Sequence, residues 1–581
     1  PGYPLYTVLS HLATWIPIGN IASRVHGFTA FLGALTCVGL FHIIRRLNVE
    51  NSIAFIASLC FGFSLTFWSQ AIIAEVYTLN ALIVLLLIYL SLEYLDSQAD
   101  SKKQKILNWL VLVYGLGLSN HWPLVVASSP AILILLWPGR RKLLLQLPKA
   151  MLCIIPGLLF YAWMVYRSQM APLISFYGPI NSLQEFWFYV SREGYAAVDD
   201  SVTAGWYDKL NFISFFFRET FTQFGPTGIV PMVAGFFYQW ACLNKYIIAS
   251  LLILFAGNSI LLILLLGFDF DFLHQNIFRV YPLISYACSA IWLALGIKAI
   301  CIWVNKVSHQ EVIQRNAVIM LGLLMVGTTF MANAADNFRR NDQWVEEFTG
   351  VILDQLLPDS ILFTYGDTDI WTLGYMHHVL NQRPDIEIYS LKGTVYSNRL
   401  FKQYETPYET AESIIRDFVK NADRPVYYVS SFISGFGETD YGLVKHIEKQ
   451  RPPQYTRVVM LPEFRQYIET QIIRGEPVNN WEKMHYRQVL SEFCGMSIDI
   501  MRFSESNNYN SDQVEWVNKV CNTFHGNLRY AEALLSEENI DINKVESVLS
   551  RAEEQMEGAI LKSELGMYYF LQGELKSQSG D

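Results

Sequence analysis

Recurrent apolar stretches in residues 1–332 limit the possible folds of this chain more than any other feature. A bilayer's hydrocarbon core, about 30 Å thick, needs about 20 apolar residues in a helix. Stretches of about that kind recur at 24–44, 52–70, 76–95, 107–122, 123–137, 150–167, 213–238, 246–267, 281–304 and 315–332. The stretch 107–137, cut by Pro123, could instead be one kinked span, although about 31 residues is long for one crossing. We predict a membrane all-α polytopic bundle of about ten helices.

Charged residues divide the chain into two parts. Residues 1–332 contain 14 Asp or Glu and 19 Lys or Arg, whereas residues 333–581 contain 38 and 24. The first part is therefore apolar and slightly basic, and the second is acidic and water-soluble, which gives no support to nucleic-acid binding. We predict three domains: a polytopic transmembrane domain (1–332), a soluble α/β domain (333–510) and a helical segment (511–581).

Lys and Arg are concentrated in alternate loops, such as "HIIRRLN", "SKKQK" and "PGRRK". By the positive-inside rule these loops face the cytoplasm, which puts residues 1–23 and all residues after 332 in the periplasm, lumen or exterior. The membrane is a bacterial inner membrane or an ER-like one. An even number of spans leaves Pro1 outside, so we expect a further span upstream of it. The stretch 5–18 fits an interfacial helix or a short loop.

Ionisable residues collect at the predicted outer ends of the spans and not in their middles. Such residues near hydrocarbon usually mark a function. They are Arg24, His26, Glu75, His121, Asp269, Asp271, His274 and Arg279. Their convergence predicts one polar cavity at the outer leaflet.

Each of these residues also has a structural interpretation. Glu75 could cap a helix, His121 could be a hydrogen-bonded turn histidine, and Arg279 could anchor the chain at the interface. Asp269 and Asp271 could bind a divalent ion only in an extended loop, and we expect them to be solvated. A cavity bordered by carboxylates and an arginine nevertheless suits a lipid-linked phosphate donor, because Arg pairs well with phosphate. A carboxylate there could act as general base on an acceptor hydroxyl.

Five segments, taken in order, resemble one family of polytopic proteins long labelled a domain of unknown function. They are "PGYPLYTVLSHLATWIP", "ASRVHGFTAFLGAL", "FWSQAIIAEVYTLNALIV", "GLGLSNHWPLVV" and "YGDTDIWTLGYMHHVLNQRPDIEIYS". This family belongs with the GT-C glycosyltransferases and includes a eukaryotic O-mannosyltransferase that acts on plexin-type receptors. The resemblance implies inverting transfer of a sugar, with mannose expected. The donor would be a polyprenyl-phosphate sugar, and the acceptor a hydroxyl of a protein, glycan or lipid on the non-cytoplasmic face.

The resemblance also implies site residues. The family's presumed catalytic acid would lie upstream of Pro1, which leaves Glu75 and His121 as the catalytic candidates within this sequence. The implied donor- or substrate-binding residues are Tyr3, Arg24, Tyr77, Asn80, Asn120 and Arg279, and the implied motif of the soluble domain is Gly366, Asp367, Arg383 and Asp385. His26 stands where the family has asparagine. We expect no obligatory metal or other cofactor, with the lipid-linked sugar as co-substrate.

The soluble part reads as alternating strands and helices. Strands are predicted at 360–367, 385–391, 425–431 and 456–462, with helical stretches between them. Gly366 and Asp367 could form a ligand-binding turn at the carboxyl end of a sheet or a structural turn. Cys494 and Cys521 could pair. The helical pattern after 511 is typical of a tetratricopeptide-like repeat, which would serve as an acceptor platform or a simple cap.

Two other functions are compatible with this sequence. Composition and span number suit a transporter or lipid flippase equally well, but transporters often have paired repeats and polar groups near the midplane. The third possibility is a non-catalytic envelope scaffold whose soluble domain binds a partner.

Overall fold

The structure is a computed structural model, and it describes residues 3–170, 172–176, 178–195, 201–308, 311–340, 342–503, 517–536 and 539–579. Pro1 and Gly2 of the opening motif lie outside the described residues. The chain forms two compact units. The membrane unit comprises Pro1–Tyr166, Ala196–Phe270 and His274–Arg339, and the α/β unit comprises Arg167–Tyr195, Asp271–Leu273 and Arg340–Asp581.

The first part of the chain is almost entirely helical, as its apolar composition predicts. Its helices are α1 (Pro4–Ala13), α2 (Ile21–Arg46), α3 (Asn51–Gly62), α4 (Leu65–Ala71), α5 (Tyr77–Asp96), α6 (Asp100–Leu136), α7 (Arg140–Ala150), α8 (Ile155–Ser168), α9 (Leu183–Val190), α10 (Trp206–Thr222), α11 (Gly225–Cys242), α12 (Lys245–Gly257), α13 (Ile260–Leu265), α14 (Phe272–Phe278), α15 (Leu283–Ser308) and α16 (Glu311–Asn337). Of these, α9 belongs to the α/β unit.

Several of these helices can cross a membrane, so the protein is an integral membrane protein. Within the described residues, five helical segments are long and apolar enough: Ile21–Arg46, Tyr77–Asp96, Asp100–Ser168, Lys245–Leu265 and Leu283–Val304. A sixth is added if α3 and α4, which meet at a bend of 70°, count as one span. The predicted count of about ten is therefore not confirmed.

The long helix α6 reverses direction at His121, whose backbone is not helical (φ −141°, ψ 80°). The hydroxyls of Tyr114 and Ser129 lie 2.9 Å apart, whereas 15 residues of straight helix would separate them by about 22 Å. A Cβ added to Gly117 would lie 3.0 Å from Val125. The predicted stretches 107–122 and 123–137 are thus two antiparallel arms and not one kinked span.

The predicted single span 213–238 is wrong in detail. Helix α10 ends at Thr222, and helix α11 begins at Gly225, which has a positive φ of +67°. Two residues between the helices also bond to other parts of the membrane unit. Gln223 accepts a hydrogen bond from the backbone N–H of Thr66 at 3.0 Å, and the carbonyl of Phe224 accepts one from Thr329 at 2.7 Å. Because glycine adopts positive φ at little cost, the chain can break here inside an apolar run.

The α/β unit contains one six-stranded sheet. The strands are β1 (Ile361–Thr364), β2 (Glu387–Ser390), β3 (Val426–Tyr428), β4 (Gly437–Asp440), β5 (Lys445–Glu448) and β6 (Thr456–Val458), in the order β2-β1-β3-β5-β4-β6. Strand β1 pairs in parallel with both β2 and β3, and β5 is antiparallel to β3 and β4. The helices are α17 (Trp344–Asp354), α18 (Asp367–Gly374), α19 (Tyr408–Asn421), α20 (Pro462–Arg474) and α21 (Asn480–Phe503).

The four predicted strands are confirmed as β1, β2, β3 and β6. The prediction of a helical stretch between β3 and β6 is wrong, because the hairpin β4–β5 occupies that position. Its turn is built on Asp440, whose side chain accepts a hydrogen bond from Gly442 N at 2.8 Å, and on Gly442 itself (φ +96°). This Asp-x-Gly turn chemistry was the local signal for a hairpin.

The segment 167–195 lies inside the predicted transmembrane domain 1–332, but the structure places it elsewhere. It belongs to the α/β unit, where the backbones of Phe176 and Val395 join at 3.0 Å and Glu185, 1% exposed, pairs with Lys402 at 3.1 Å. The boundary between the units otherwise falls at Arg339, a few residues beyond the predicted 332. Partners more than 200 residues apart leave no trace in local periodicity.

The end of the chain is helical, as predicted. Helices α22 (Phe524–Leu535), α23 (Ile542–Glu553) and α24 (Lys562–Ser579) enclose a small apolar core of their own. A disulfide joins Cys494 on α21 to Cys521, so this pairing, left open by the sequence, is present. The tetratricopeptide-like character stays a prediction, and residues 504–516 lie outside the described part of the chain.

Candidate functional site

Four aromatic rings, three of which belong to predicted site residues, come together in the membrane unit. Tyr3, which precedes α1, stacks on His121 at the α6 reversal with ring centres 5.3 Å apart and planes 17° apart. Tyr77, the first residue of α5, lies 5.5 Å from the same imidazole and 6.3 Å from Tyr281. Residues from four separate parts of the chain thus form one aromatic group, which we call the ring cluster (Tyr3, Tyr77, His121, Tyr281).

Two buried asparagines belong to the same region of the membrane unit. Asn80 and Asn120 are each 1% exposed, and Asn120 donates a hydrogen bond to the carbonyl of Val76 at 3.3 Å. The side-chain oxygens of both asparagines have no hydrogen-bond partner among the described residues. A buried acceptor left unsatisfied costs about 1–3 kcal/mol, so these oxygens are suited to receive a ligand's hydroxyl groups.

Glu75 lies beside the ring cluster in sequence and in space. Its carboxylate accepts a hydrogen bond from the N–H of Val76 at 3.3 Å, directly before Tyr77. It also interacts electrostatically with Tyr6, whose hydroxyl bonds Thr29 at 2.7 Å. The carboxylate therefore lies where α1, α2 and the start of α5 meet.

Arg24 supports the loop between α1 and α2. Its guanidinium donates hydrogen bonds to the backbone carbonyls of Thr14 (2.8 Å), Ile18 (3.2 Å) and Gly19 (3.0 Å). Three carbonyl bonds orient this side chain toward its own loop, so a role in donor binding stays a prediction.

Arg279 has an acidic partner that the sequence analysis missed. It forms a two-pronged ion pair with Glu219, with Nε to Oε2 at 2.9 Å and Nη2 to Oε1 at 3.1 Å. It also donates to Asn276 at 3.2 Å and lies over the ring of Phe215. The available signal was an acidic residue inside the predicted apolar span 213–238, where carboxylates are rare.

The expectation that Asp269 and Asp271 are solvated is wrong, since each is 7% exposed. Asp269 accepts hydrogen bonds from the hydroxyls of Ser201 (2.5 Å) and Thr203 (2.7 Å). Asp271, in the α/β unit, accepts one from the backbone N–H of Lys562 at 3.2 Å. Nowhere in the part of the chain that the structure describes do three or more His, Cys, Asp or Glu residues form a group able to hold a metal.

The motif residues of the α/β unit lie at opposite edges of the sheet. Gly366 (φ +88°) and Asp367 follow the carboxyl end of β1 and begin α18. Arg383 pairs with Asp385 at 2.8 Å and donates to the carbonyl of Leu357, while Asp385 accepts from Asp359 N at 3.2 Å, just before β1. The guanidinium holds the pKa of the Asp385 carboxyl well below its usual range. The Arg383–Asp385 pair therefore stabilises the segment that leads into the amino end of β1.

Asp369 is a buried acid that the sequence analysis did not single out. It is 2% exposed, hydrogen-bonds Ser430, and has a pKa raised to about 7 by burial. Ser430 follows β3 and has a positive φ of +51°. Because β2 and β3 lie on opposite sides of β1, these residues sit at the topological switch point, where open α/β sheets usually bind ligands.

These features define the class of protein: an integral membrane protein of apolar helices with a polar and aromatic cluster where helices end, joined to an α/β unit. Residues 1–144 match the family model described as the protein O-mannosyl-transferase TMEM260 N-terminal domain. The chain is 26% identical over 421 residues to the protein O-mannosyl-transferase TMEM260 of Mus musculus, covering 67% of this chain and 56% of that protein. It is 22% identical over 514 residues to the Dictyostelium discoideum protein of that name, and this match covers 78% of this chain and 62% of that protein.

The resemblance that the sequence motifs carried is therefore confirmed, and the chain spans about 56–62% of the length of these curated relatives. Solved structures give a weaker likeness. ArnT from Cupriavidus metallidurans in the apo state has a TM-score of 0.45 at 10% identity, over 78% of this chain and 88% of that one. The Archaeoglobus fulgidus oligosaccharyltransferase has a TM-score of 0.40 at 12% identity, and the match covers 73% of this chain and 59% of that one. Scores of this size do not establish a common fold.

Proposed function

We propose that this protein is a membrane glycosyltransferase of the GT-C type. It transfers mannose from a polyprenyl-phosphate donor to an acceptor hydroxyl, with inversion. One observation carries the proposal: the ring cluster and its asparagines lie almost wholly within residues 1–144, the part that matches an O-mannosyltransferase domain. The part of the chain that matches the model of such an enzyme also gathers sugar-binding chemistry.

The ring cluster and the two asparagines bind the sugar in this proposal. The rings of Tyr3, Tyr77 and His121 pack against the apolar face of the sugar, since aromatic side chains combine large contact area with a polar edge. Asn80 and Asn120 accept hydrogen bonds from sugar hydroxyls. Their buried amide oxygens, without a partner among the described residues, support this role.

Proton transfer and phosphate binding fall to the charged residues. Glu75 takes the proton of the attacking hydroxyl as general base, with His121 as the alternative. Arg279 binds the donor phosphate in this proposal through the two guanidinium N–H groups that Glu219 and Asn276 do not occupy. Glu219 orients Arg279 through two hydrogen bonds. Arg24 contributes a second positive charge.

The reaction takes place on the non-cytoplasmic side in this proposal. The alternation of Lys and Arg between loops supports that side. The Cys494–Cys521 bond supports it independently, because disulfides persist in oxidising compartments. A protein hydroxyl as acceptor follows the names of the curated relatives.

The α/β unit contacts the acceptor in this proposal. Gly366 and Asp367 form the turn that faces it at the carboxyl edge of β1, beside the buried Asp369. Arg383 and Asp385 support the sheet from the other edge. Helices α22–α24 would extend the acceptor platform.

The test is a transfer assay on the full-length protein in lipid nanodiscs, with radiolabelled mannosyl-phosphoryl polyprenol and a Ser/Thr-rich peptide pool. Glu75→Gln and Arg279→Ala should each cut transfer tenfold or more, where tenfold is about 1.4 kcal/mol of barrier. Glu50→Gln, the same chemical change at the start of α3, is the matched control and should retain the rate. Lipid translocation without any transfer would favour a flippase, and wild-type rates in both variants would remove these residues from the site.

A further inference from the structure

The α/β unit contains a cavity of about 350 Å³, separate from the residues assigned above. Helices α20 and α21 form most of its wall, and the start of α17 completes it with Gln343 and Trp344. A volume of this size falls within the range of about 300–1,000 Å³ that small-molecule pockets occupy. The cavity can therefore hold one small ring with its substituents.

Four aromatic side chains, those of Trp344, Tyr467, His485 and Tyr486, form part of the wall. His485, 7% exposed, lies 4.4 Å from the ring of Trp344 and 4.4 Å from that of Phe348. Its Nε2 shares a hydrogen bond of 3.2 Å with the hydroxyl of Tyr467. Tyr486 also lines the cavity. This packing fixes the rings before any ligand arrives.

Three carboxylates, Asp342, Glu476 and Glu482, and one guanidinium, Arg474, line the cavity. Arg474 forms an ion pair with Glu347, with Nη2 to Oε1 at 2.8 Å, and this pairing lowers the pKa of Glu347. Glu476 pairs with Arg487 at 2.7 Å. Burial lowers the pKa of His485 to about 4, so this side chain is neutral at pH 7. A wall with three carboxylates, whose one guanidinium is already paired with Glu347, discriminates against phosphates, carboxylates and other anionic ligands, because they would lose hydration without gaining a counter-ion.

Polar capacity nevertheless remains inside the cavity. The Nδ1 of His485 has no hydrogen-bond partner among the described residues, and a neutral imidazole uses each nitrogen as either donor or acceptor. The side-chain N–H of Gln471 donates a hydrogen bond to Glu347 at 3.1 Å, so its side-chain oxygen can accept one from a ligand. The side chain of Gln343 makes no capping bond at the start of α17.

We propose that this cavity binds a single uncharged saccharide residue, with its C–H face against the aromatic wall and its hydroxyls on His485, Gln471 and Gln343. A peptide is the less suitable occupant. None of the lining residues belongs to a β-strand, so the wall offers no sheet edge to which an extended main chain could add. The site holds a glycan in place and performs no chemistry, and the choice of mannose as first ligand rests on the proposed function.

The experiment is a saturation-transfer NMR titration of the full-length protein in nanodiscs, without donor, using methyl α-mannoside and a mannobiose. Wild-type protein should bind with a millimolar or lower Kd. Val478→Trp, at a 59% exposed lining position, should fill the cavity and weaken binding at least tenfold. Gln343→Ala, an exposed truncation, should weaken it about threefold or more. Ile473→Trp, 86% exposed and outside the wall, is the matched control and should bind as wild type.

Three results would overturn the inference. They are absence of binding by wild-type protein to a panel of neutral saccharides, unchanged binding in Val478→Trp, and displacement of the sugar by an unglycosylated Ser/Thr peptide, which would make this a peptide site. Because no donor is present, failure here is distinguishable from failure of the transfer assay.

Discussion

Removing the Cys494–Cys521 disulfide should destabilise the α/β unit substantially. The bond closes a loop of 27 residues between α21 and the segment leading into α22. In the chain-entropy description a loop of this length costs about 12 cal/mol/K of unfolded-state entropy, or about 3.5 kcal/mol at 25 °C. Both positions are buried, at 0% and 7% exposure. Alanine is the suitable replacement, because a buried serine hydroxyl would need a new partner.

The assay is pulse proteolysis of the full-length protein in detergent across a urea series, following the fragment that contains residues 342–579. With a typical urea slope of about 2 kcal/mol/M, the Cys494→Ala/Cys521→Ala variant should shift the midpoint down by about 1.5–2 M. Reduction of the wild-type protein should produce a similar shift. Cys242→Ala, at an exposed free thiol, is the control and should leave the midpoint unchanged.

The reasoning would be refuted by a loss below about 0.5 kcal/mol in the double variant. It would also be refuted if alkylation and mass spectrometry of protein taken directly from cells found both thiols free. The second result would remove the disulfide's support for the non-cytoplasmic side as well.

Three further predictions concern buried and half-buried ionisable groups. His485 has a folded pKa of about 4, below its usual 6.5, so the unfolded chain binds more protons between these values. The free energy of unfolding should therefore fall by up to about 3 kcal/mol as pH drops from 6.5 to 4. In His485→Gln the urea midpoint should depend less on pH over that range. An equally strong pH dependence in this variant would contradict the prediction. Asp369 gives stability the opposite dependence on pH. Its folded pKa of about 7 lies above its usual value of 3.8, so between these values the folded state binds more protons than the unfolded chain, and stability falls as pH rises. Asp369→Asn should match wild type near pH 4 and be more stable at pH 8 by up to about 4 kcal/mol, whereas equal midpoints at pH 8 would count against burial as the cause. Glu219→Gln should lower the thermal midpoint in detergent, with a cost of about 3 kcal/mol for leaving Arg279 unpaired. The double variant with Arg279→Gln should lose less than the sum of the two single changes, and strict additivity would mean that the ion pair contributes nothing.

Local patterns in the sequence were enough for much of the fold. Apolar length indicated the membrane helices, and Pro123 after His121 indicated the reversal inside α6. Short β-rich runs located β1, β2, β3 and β6. These features depend on the composition and periodicity of 5 to 20 neighbouring residues, which determine whether a segment becomes a helix or a strand.

Tertiary packing decided which distant residues meet. Glu219 and Arg279 are 60 residues apart, and Glu185 and Lys402 are 217 apart. Such pairs form only after several helices or strands have packed. The cavity beside His485 has the same origin, since its wall combines α17, α20 and α21. The sequence by itself therefore determined which part of the chain forms apolar membrane helices, the chemistry available at their ends and four of the six strands. The tertiary structure decided the partners of the charged groups and the shape of the sites, because long-range contacts follow from the packing of whole elements and not from any local pattern.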